Sequence, residues 1–483
     1  MEQIYDLLVI GTGPGGYLAA SKAAGLKKSV AVVEKRELGG TCLNRGCIPT
    51  KTLLHGTGML REISAAGSMG IRCAEAEFEP EAFWRYKDTV LTTLRGGIEQ
   101  LLKKQKVSVY HGHGTVTAAD GRVVSVEVCA ENGEKTRLQA ANVLIAAGSR
   151  PALLPIPGAS SAGVMNSDTV LNENRLGTDQ GSVYQSVIII GGGVIGMEMA
   201  TVYSNLGSQV TVIEAMDRVL FGMDREIAQN LRMILKKRGV ELITSASVKE
   251  IIPEDGGFCC RYAVRNRKGE EEENRVSAEG LLISTGRKPE TEGLFSEAFL
   301  ESFKQAGALW TERGFLKVDE EFRTGIPGVY AAGDAIGGIQ LAHVATAESV
   351  RAVETMFSLP HSQELSVIPS CVYTDPEIAC VGITADEAKN AGVEAVTGKY
   401  IMSVNGKSVL TMQERGFVKL VAEKGSGRLL GAQLMCARAT DMIGELGLAV
   451  VKGLTVKEIA SAVAAHPTFA EGIMEAALGM CQE

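Results

Sequence analysis

The sequence predicts an α/β protein: two doubly wound units on parallel sheets, followed by an α+β domain. Three observations predict it. A strand–glycine turn–helix–strand pattern opens the chain and recurs near residue 190. Each copy ends its second strand in a glutamate 23 residues after its first glycine. Beyond about residue 350 the pattern stops, and strand-like segments precede a helical C-terminus. The 483 residues suffice for about three domains at roughly 150 residues each.

The first unit starts with Ile4-Tyr5-Asp6-Leu7-Leu8-Val9-Ile10, a short buried strand. The turn Gly11-Thr12-Gly13-Pro14-Gly15-Gly16 follows, then a small-residue helix over 17–25 and a strand over 29–34. Physical chemistry gives each glycine of such a turn a task. One allows the tight bend, one lets backbone reach a pyrophosphate, and one lets helix pack on strand. Free N–H groups and the dipole at the helix start favour the phosphates. A carboxylate at the end of the second strand, here Glu34, accepts hydrogen bonds from an adenosine ribose.

The second unit has a strand at 187–190 and the turn Gly191-Gly192-Gly193-Val194-Ile195-Gly196. A helix over 197–206 and a strand over 209–213 lead to Glu214. One GxGxxG is a weak signal. Two copies in the same context, with the acid at the same offset, point to two dinucleotide sites. Glu214 also discriminates between nucleotides: a carboxylate there bonds the ribose 2′-OH of NAD and repels a 2′-phosphate. The residues that follow, Ala215-Met216-Asp217-Arg218, supply no cationic pocket for NADP.

Three further strands end in small-residue turns: Val143 to Gly148-Ser149-Arg150-Pro151, Leu281 to Gly286-Arg287-Lys288-Pro289, and Gly328 to Gly333-Asp334. Alternating stretches at 107–128 and 248–276 read as small hairpin sheets inserted into the doubly wound units. Strand-like segments at 368–374, 395–404, 416–422 and 430–436 build the last domain. The domain boundaries read as 1–150 with 281–350, 151–280, and 351–483.

Composition excludes several classes. Hydrophobic residues reach 45% and charged residues 22%, which marks a core-forming chain rather than a disordered or fibrous one. The net charge of −8 disfavours nucleic acid as a partner. No apolar run is long enough for a membrane helix, and Met1-Glu2-Gln3 begins no basic export leader. Ten cysteines are too few for a disulfide scaffold, and most sit among apolar neighbours, so a reducing cytoplasm is expected.

One cysteine pair stands apart, in Gly39-Gly40-Thr41-Cys42-Leu43-Asn44-Arg45-Gly46-Cys47-Ile48-Pro49-Thr50-Lys51. A structural zinc half-site or two core thiols are the plain readings. Zinc would need two more ligands, and Cys259-Cys260, adjacent in sequence, supplies them poorly. A redox pair beside a dinucleotide fits better. An ordinary thiol is only about 3% thiolate at neutral pH, so a base, cation or helix start must assist. Near the C-terminus, His466-Pro467-Thr468-Phe469-Ala470-Glu471 offers a base. Pro467 disfavours helix at His466. Thr468 and Glu471 form a T-x-x-E capping pattern, and the same carboxylate can orient the imidazole.

These motifs, in this order along essentially the whole chain, resemble the class I flavin-dependent pyridine nucleotide–disulfide oxidoreductases. The resemblance is strongest to the branch that oxidises dihydrolipoyl groups. It implies two Rossmann-like domains, for FAD and NAD, in the three-layer ββα arrangement of the glutathione-reductase type, plus a C-terminal α+β dimerisation domain. It implies that Cys42 is the interchange thiol and Cys47 the thiol beside the flavin. Lys51 would lie near the flavin and pair with Glu198, although two unrelated surface charges at helix starts is the plainer reading. His466, oriented by Glu471, would be the base, delivered from the other subunit of a homodimer. FAD contacts are implied for Gly11, Gly13, Gly15, Gly16, Glu34, Thr41, Lys51, Gly114, Ala147, Gly148, Asp334, Gln340, Leu341, Ala342 and His343. NAD contacts are implied for Gly191, Gly193, Val194, Ile195, Gly196, Glu198, Glu214, Val248 and Gly286. No metal is implied.

The partner would be a lipoylated carrier protein of a 2-oxo acid dehydrogenase or glycine cleavage complex. Three positions depart from the branch's common pattern: Arg45 replaces a small apolar residue, Ala464 a histidine and Ala470 a serine. Arg45 either stabilises thiolate or faces solvent. An NADH-dependent reductase of another small disulfide, or a non-catalytic flavin redox sensor, are the competing functions.

Overall fold

The computed structural model describes residues 3–72, 76–178, 181–266, 269–303, 309–413 and 415–481. Met1 and Glu2, where an export leader would start, lie outside them.

Strand Ile4–Ile10 is the centre of the first sheet. It runs parallel to Val30–Glu34 on one side and to Lys135–Ile145 on the other. Leu7, Leu8 and Val9 are fully buried, as expected for a strand with helices or sheet on both faces. The sheet order is Ser108–His111, Val30–Glu34, Ile4–Ile10, Lys135–Ile145, Val124–Cys129, His113–Ala119, with Val329–Ala331 also on Lys135–Ile145.

The expected inserted hairpin is not a separate sheet here. Lys135–Ile145 is one strand of 11 residues that does two jobs. Its first half pairs antiparallel with Val124–Cys129, and its second half pairs parallel with Ile4–Ile10. The burial pattern changes along it, from exposed and mixed to fully buried at 143–145. The alternating half signalled a hairpin and the apolar half a core strand, so sequence reading split them.

The second sheet is all parallel, in the order Val240–Ile243, Gln209–Ile213, Ser186–Ile190, Gly280–Ile283, Met165–Asn166. The second expected hairpin region is a separate antiparallel sheet, Ala246–Glu254, Gly257–Arg265 and Glu271–Ala278. Strands Ser149–Pro151 and Arg287–Pro289 pair antiparallel. The chain therefore leaves the first sheet and returns to it at neighbouring points.

Helices Pro14–Gly25 and Val194–Asn205 start about three residues earlier than the sequence reading placed them. Gly13 and Gly193 are already the N-caps, in extended conformation. Pro14 suits the first helical position, where its missing N–H costs nothing. Both helices therefore begin inside the glycine turns, with their N-termini at the carboxyl ends of the central strands.

The C-terminal sheet is antiparallel: Ser370–Val372, Ile378–Gly382, Leu429–Met435, Phe417–Glu423, Ala395–Ile401. Ile378–Gly382 was not expected; a five-residue run after Pro376 is too short for periodicity to separate. Helices Ala439–Lys452 and Glu471–Cys481 cover the sheet around a core that includes Val418, Leu420, Leu434 and Ile443.

Candidate active site

A single cavity of about 1030 Å³ runs along the carboxyl ends of both parallel sheets. A drug-sized pocket occupies roughly 300–1,000 Å³, so this one has room for extended ligands. It is lined by Gly11, Gly13, Gly15, Glu34, Thr41, Gly114, Ala147 and Gly148 from the first unit. From the second come Gly191, Gly193, Val194, Ile195, Glu198, Glu214, Val248 and Gly286.

The glycines divide by physical role. A Cβ on Gly13, Gly148, Gly193 or Gly286 would meet nothing within 4 Å. These positions need no space for packing; their bareness leaves backbone open to the cavity. Gly16 and Gly196 are the opposite case. A Cβ there would sit 1.9 Å from Gly11 O and 2.0 Å from Gly191 O, so they serve helix–strand packing and do not line the cavity. The open cradles fit the pyrophosphates of two dinucleotides.

The two acids behave alike. Glu34 accepts from Thr12 N at 2.8 Å and Thr12 Oγ1 at 2.6 Å through Oε2, and from Arg36 N at 2.9 Å through Oε1. Glu214 accepts from Gly192 N at 2.5 Å and Met216 N at 2.7 Å. Backbone donors fix each carboxylate at the rim of its cradle.

Cys42 lies on helix Gly40–Arg45, and Cys47 opens helix Cys47–Ala65. Gly46 breaks the two helices apart, and both cysteines line the cavity. They stand as free thiols joined by a hydrogen bond. That bond, with help from Lys51, holds the Cys47 thiol down to about 7 against the push of burial and of Glu198. The same bond and burial raise the Cys42 thiol. The pair is polarised: Cys47 is the easier thiolate and Cys42 keeps its proton.

Lys51 is four residues after Cys47 and so shares its helix face. Its Nζ donates to both carboxylate oxygens of Glu198 at 2.9 Å. Glu198 is 2% exposed, on helix Val194–Asn205 of the second unit, which packs against the cysteine helix. The reading of two unrelated surface charges is therefore set aside. Tyr373 was missed by sequence reading: its N–H donates to Glu198 Oε1 at 3.0 Å, and its ring lies under Lys51 Nζ at 4.5 Å. Nothing in the sequence signals a contact between residues 198 and 373.

Arg45 is buried, and its Nη1 pairs with Glu37 Oε2 at 3.1 Å. It neither faces solvent nor contributes to the lowering of Cys47, so its charge is spent on Glu37.

Asp334 faces the cavity, accepts from Ser149 Oγ, and lies 3.9 Å from Arg287 Nε. Arg287 donates to Ser149 Oγ and Ser149 O, both at 2.7 Å. Sequence alone does not mark Ser149 or Arg287, because their contact spans 138 residues. Gln340, Leu341 and Ala342 line the same region. His343 does not: its ring is exposed and its Nε2 bonds Pro369 O at 2.8 Å. The first helical turn after Ala342 carries it round to the other side.

His466 lies in a non-helical segment before helix Glu471–Cys481. Its Nδ1 is 2.8 Å from Glu471 Oε1, while Glu471 Oε2 accepts from Thr468 N at 2.8 Å. One carboxylate thus orients the ring and satisfies a helix-start N–H. The Thr468 and His466 bonds hold Glu471 below the usual carboxylate range. Neither His466 nor Glu471 lines this chain's cavity, and His466 is 76% exposed.

Residues 5–349 match the pyridine nucleotide-disulphide oxidoreductase family, and residues 368–477 match its dimerisation domain. The chain belongs to this family. The chain is 36% identical over 474 residues to the dihydrolipoyl dehydrogenase of Geobacillus stearothermophilus, covering 98% of this chain and 95% of that one. A dihydrolipoyl dehydrogenase of Bacillus subtilis strain 168 is 38% identical over 485 residues, covering 99% and 98%. Among solved structures, LpdA from Mycobacterium tuberculosis superposes with a TM-score of 0.87 at 26% identity, over 98% of this chain and 99% of that one. The HOCl-induced flavoprotein disulfide reductase RclA from Escherichia coli, in its Cu(II) complex, gives 0.83 at 26% identity, over 99% of each chain. The fold is that of an FAD- and NAD-dependent oxidoreductase.

Proposed function

We propose that the chain is a dihydrolipoyl dehydrogenase working as a homodimer, with FAD and NAD as its cofactors. The observation that carries this reading is the polarised Cys42–Cys47 pair in the one cavity that joins both glycine cradles. The near full-length relatives at 36% and 38% identity support it. FAD would rest on Gly11, Gly13 and Gly15, with Glu34 at its ribose and Asp334 further along. NAD would rest on Gly191 and Gly193, with Glu214 at its ribose.

The reaction begins with the enzyme pair as a disulfide. His466 takes a proton from one dihydrolipoyl thiol, and Glu471 stabilises the imidazolium. The thiolate attacks Cys42 Sγ, the Cys42–Cys47 bond breaks, and Cys47 leaves as thiolate. Lys51 makes Cys47 the better leaving group. The second substrate thiol attacks the mixed disulfide, closing the lipoyl ring and releasing Cys42 as thiol. Two electrons have moved from dithiol to enzyme. When bound, FAD would supply the two-electron chemistry that connects this dithiol with NAD⁺, and Cys47 would be the thiol placed beside it.

The homodimer is supported by a run of exposed apolar residues on the C-terminal domain, among them Val404, Val409, Leu410 and Val463. It is also supported by the separation of His466 from its own chain's cavity. A lipoylated carrier protein is the macromolecular partner in this reading. No described helix is long and apolar enough to cross a membrane. A reducing cytoplasm suits the scattered thiols.

The test is NADH formation from dihydrolipoamide and NAD⁺ by FAD-loaded protein. No turnover with Cys42 and Cys47 intact overturns the reading. Faster NADH-driven reduction of another small disulfide than of lipoamide replaces the substrate and keeps the mechanism.

A further inference from the structure

Glu348 lies on helix Ala342–Met356, and its Oε2 accepts from the Gly333 N–H at 2.8 Å. Gly333 follows strand Val329–Ala331 with φ 71°, a left-handed turn that a side chain would strain. A Cβ there would also come 2.9 Å from Ala345 Cβ on the same helix. The next residue is Asp334, which faces the cavity. The turn that aims Asp334 is thus held twice by one helix, sterically at Ala345 and by hydrogen bond at Glu348.

A neutral acceptor would satisfy one N–H equally well. An ionisable acceptor in this place can bring a second negative charge beside Asp334. Burial and Asp334 push the Glu348 carboxyl up to about 7, against the pull of the Gly333 N–H. The surrounding charges are few. Arg287 is 3.9 Å from Asp334, and Ser149 donates to that same carboxylate. On the facing helix Pro14–Gly25 the charged residue is Lys22, which pairs with Glu354 at 2.9 Å, further along. Glu348 has no cation of its own among these.

We propose that Glu348 is a positioning residue of the flavin site and a proton-dependent latch on flavin retention. Either form of its carboxyl accepts the Gly333 N–H and holds the Gly333–Asp334 turn. Its carboxylate sets a second charge beside Asp334 and loosens the hold on an anionic dinucleotide. The proposal rests on the reading of Asp334 as a flavin contact.

The experiment follows FAD release from the holoenzyme by flavin fluorescence, from pH 5.5 to 8.5. Wild type should release FAD about tenfold faster at the upper end, a change of one unit in a titrating carboxyl. Glu348→Gln keeps the acceptor and cannot ionise, so its release should stay slow and flat with pH. Glu348→Ala should release fast throughout. The proposal is overturned if Glu348→Gln shows the wild-type rise, or if Glu348→Ala releases at the wild-type rate. If Glu348→Ala does not fold, the Gln profile alone decides. Asp334→Asn separates the underlying reading: unchanged FAD affinity there removes Asp334 from the flavin site, whatever the Glu348 profiles show.

Discussion

Cys47 and Lys51 are one helical turn apart, and that spacing adds a cation's pull to the Cys42 hydrogen bond that makes Cys47 the easier thiolate. The Cys47 thiol is lowered from its ordinary value to about 7, so its thiolate is present above that pH and lost below it. Lys51 is one cause, so Lys51→Met should move the titration upward. Alkylation of the reduced protein with iodoacetamide, followed against pH, reads that midpoint directly. For His466→Ala, kcat with dihydrolipoamide should fall by about 10²–10⁴, the usual worth of a general base. Glu471→Gln should cost less, since the amide still accepts from Thr468 N while the imidazolium loses its counter-charge. Local motifs made these residues legible in the sequence. Cys42, Cys47 and Lys51 sit within one ten-residue stretch, and His466 and Glu471 within six residues. The Arg287–Ser149–Asp334 cluster was not legible in the same way. Its members are 138 and 185 residues apart; one strand pairing brings Arg287 to Ser149, and another, of Val329–Ala331 with Lys135–Ile145, brings Asp334 to Ser149.

At the scale of elements, the cysteine helix is keyed to the first glycine turn by backbone alone. Gly40 has φ 59°, and a Cβ there would lie 2.6 Å from Gly13 Cα. Gly40→Ala should therefore push helix Gly40–Arg45 off the turn, weakening FAD binding and slowing thiol exchange together. Flavin fluorescence and single-turnover reduction measure the two. A Gly25→Ala control, with nothing within 4 Å of its Cβ, should change neither. The strands and glycine turns were legible because continuous apolar runs and glycine spacing are local signals. Helix starts were misplaced because Gly13 and Gly193 act as caps, which glycine spacing alone does not reveal. His343 was assigned to the cofactor because it adjoins three cavity residues in sequence, yet helix geometry turns it toward Pro369.

At the scale of the whole molecule, the base and the thiol pair are in different places on one chain. Two such chains, related by the twofold of a homodimer, would supply each site with both. Cys42→Ser homodimers should be inactive, and His466→Ala homodimers reduced by the same factor of about 10²–10⁴. Mixed after dissociation and reassociation, they should recover about a quarter of wild-type activity, because half of the dimers carry one complete site. No recovery in verified heterodimers would mean that base and thiol act within one chain. This arrangement was legible only through family resemblance; residue spacing says nothing of a second copy.

The antiparallel ladder of Ser149–Pro151 with Arg287–Pro289 has a consequence for how the chain could be edited. Because the exit and return strands are neighbours, the intervening segment hangs from the first sheet by a stem. A short loop could close that stem without stretching either strand. The stem is simple, but the segment is not detachable: Met197 and Met199 share one core with Leu53 and Trp84, and Glu198 crosses back to hold Lys51. Deletion of the segment would free Lys51 from its counter-ion and remove a charge that raises the Cys47 thiol. The shortened protein would carry a more acidic thiol beside a more mobile lysine. The modules are thus coupled by charge as well as by chain and core, and cutting the chain would be felt at the sulfur.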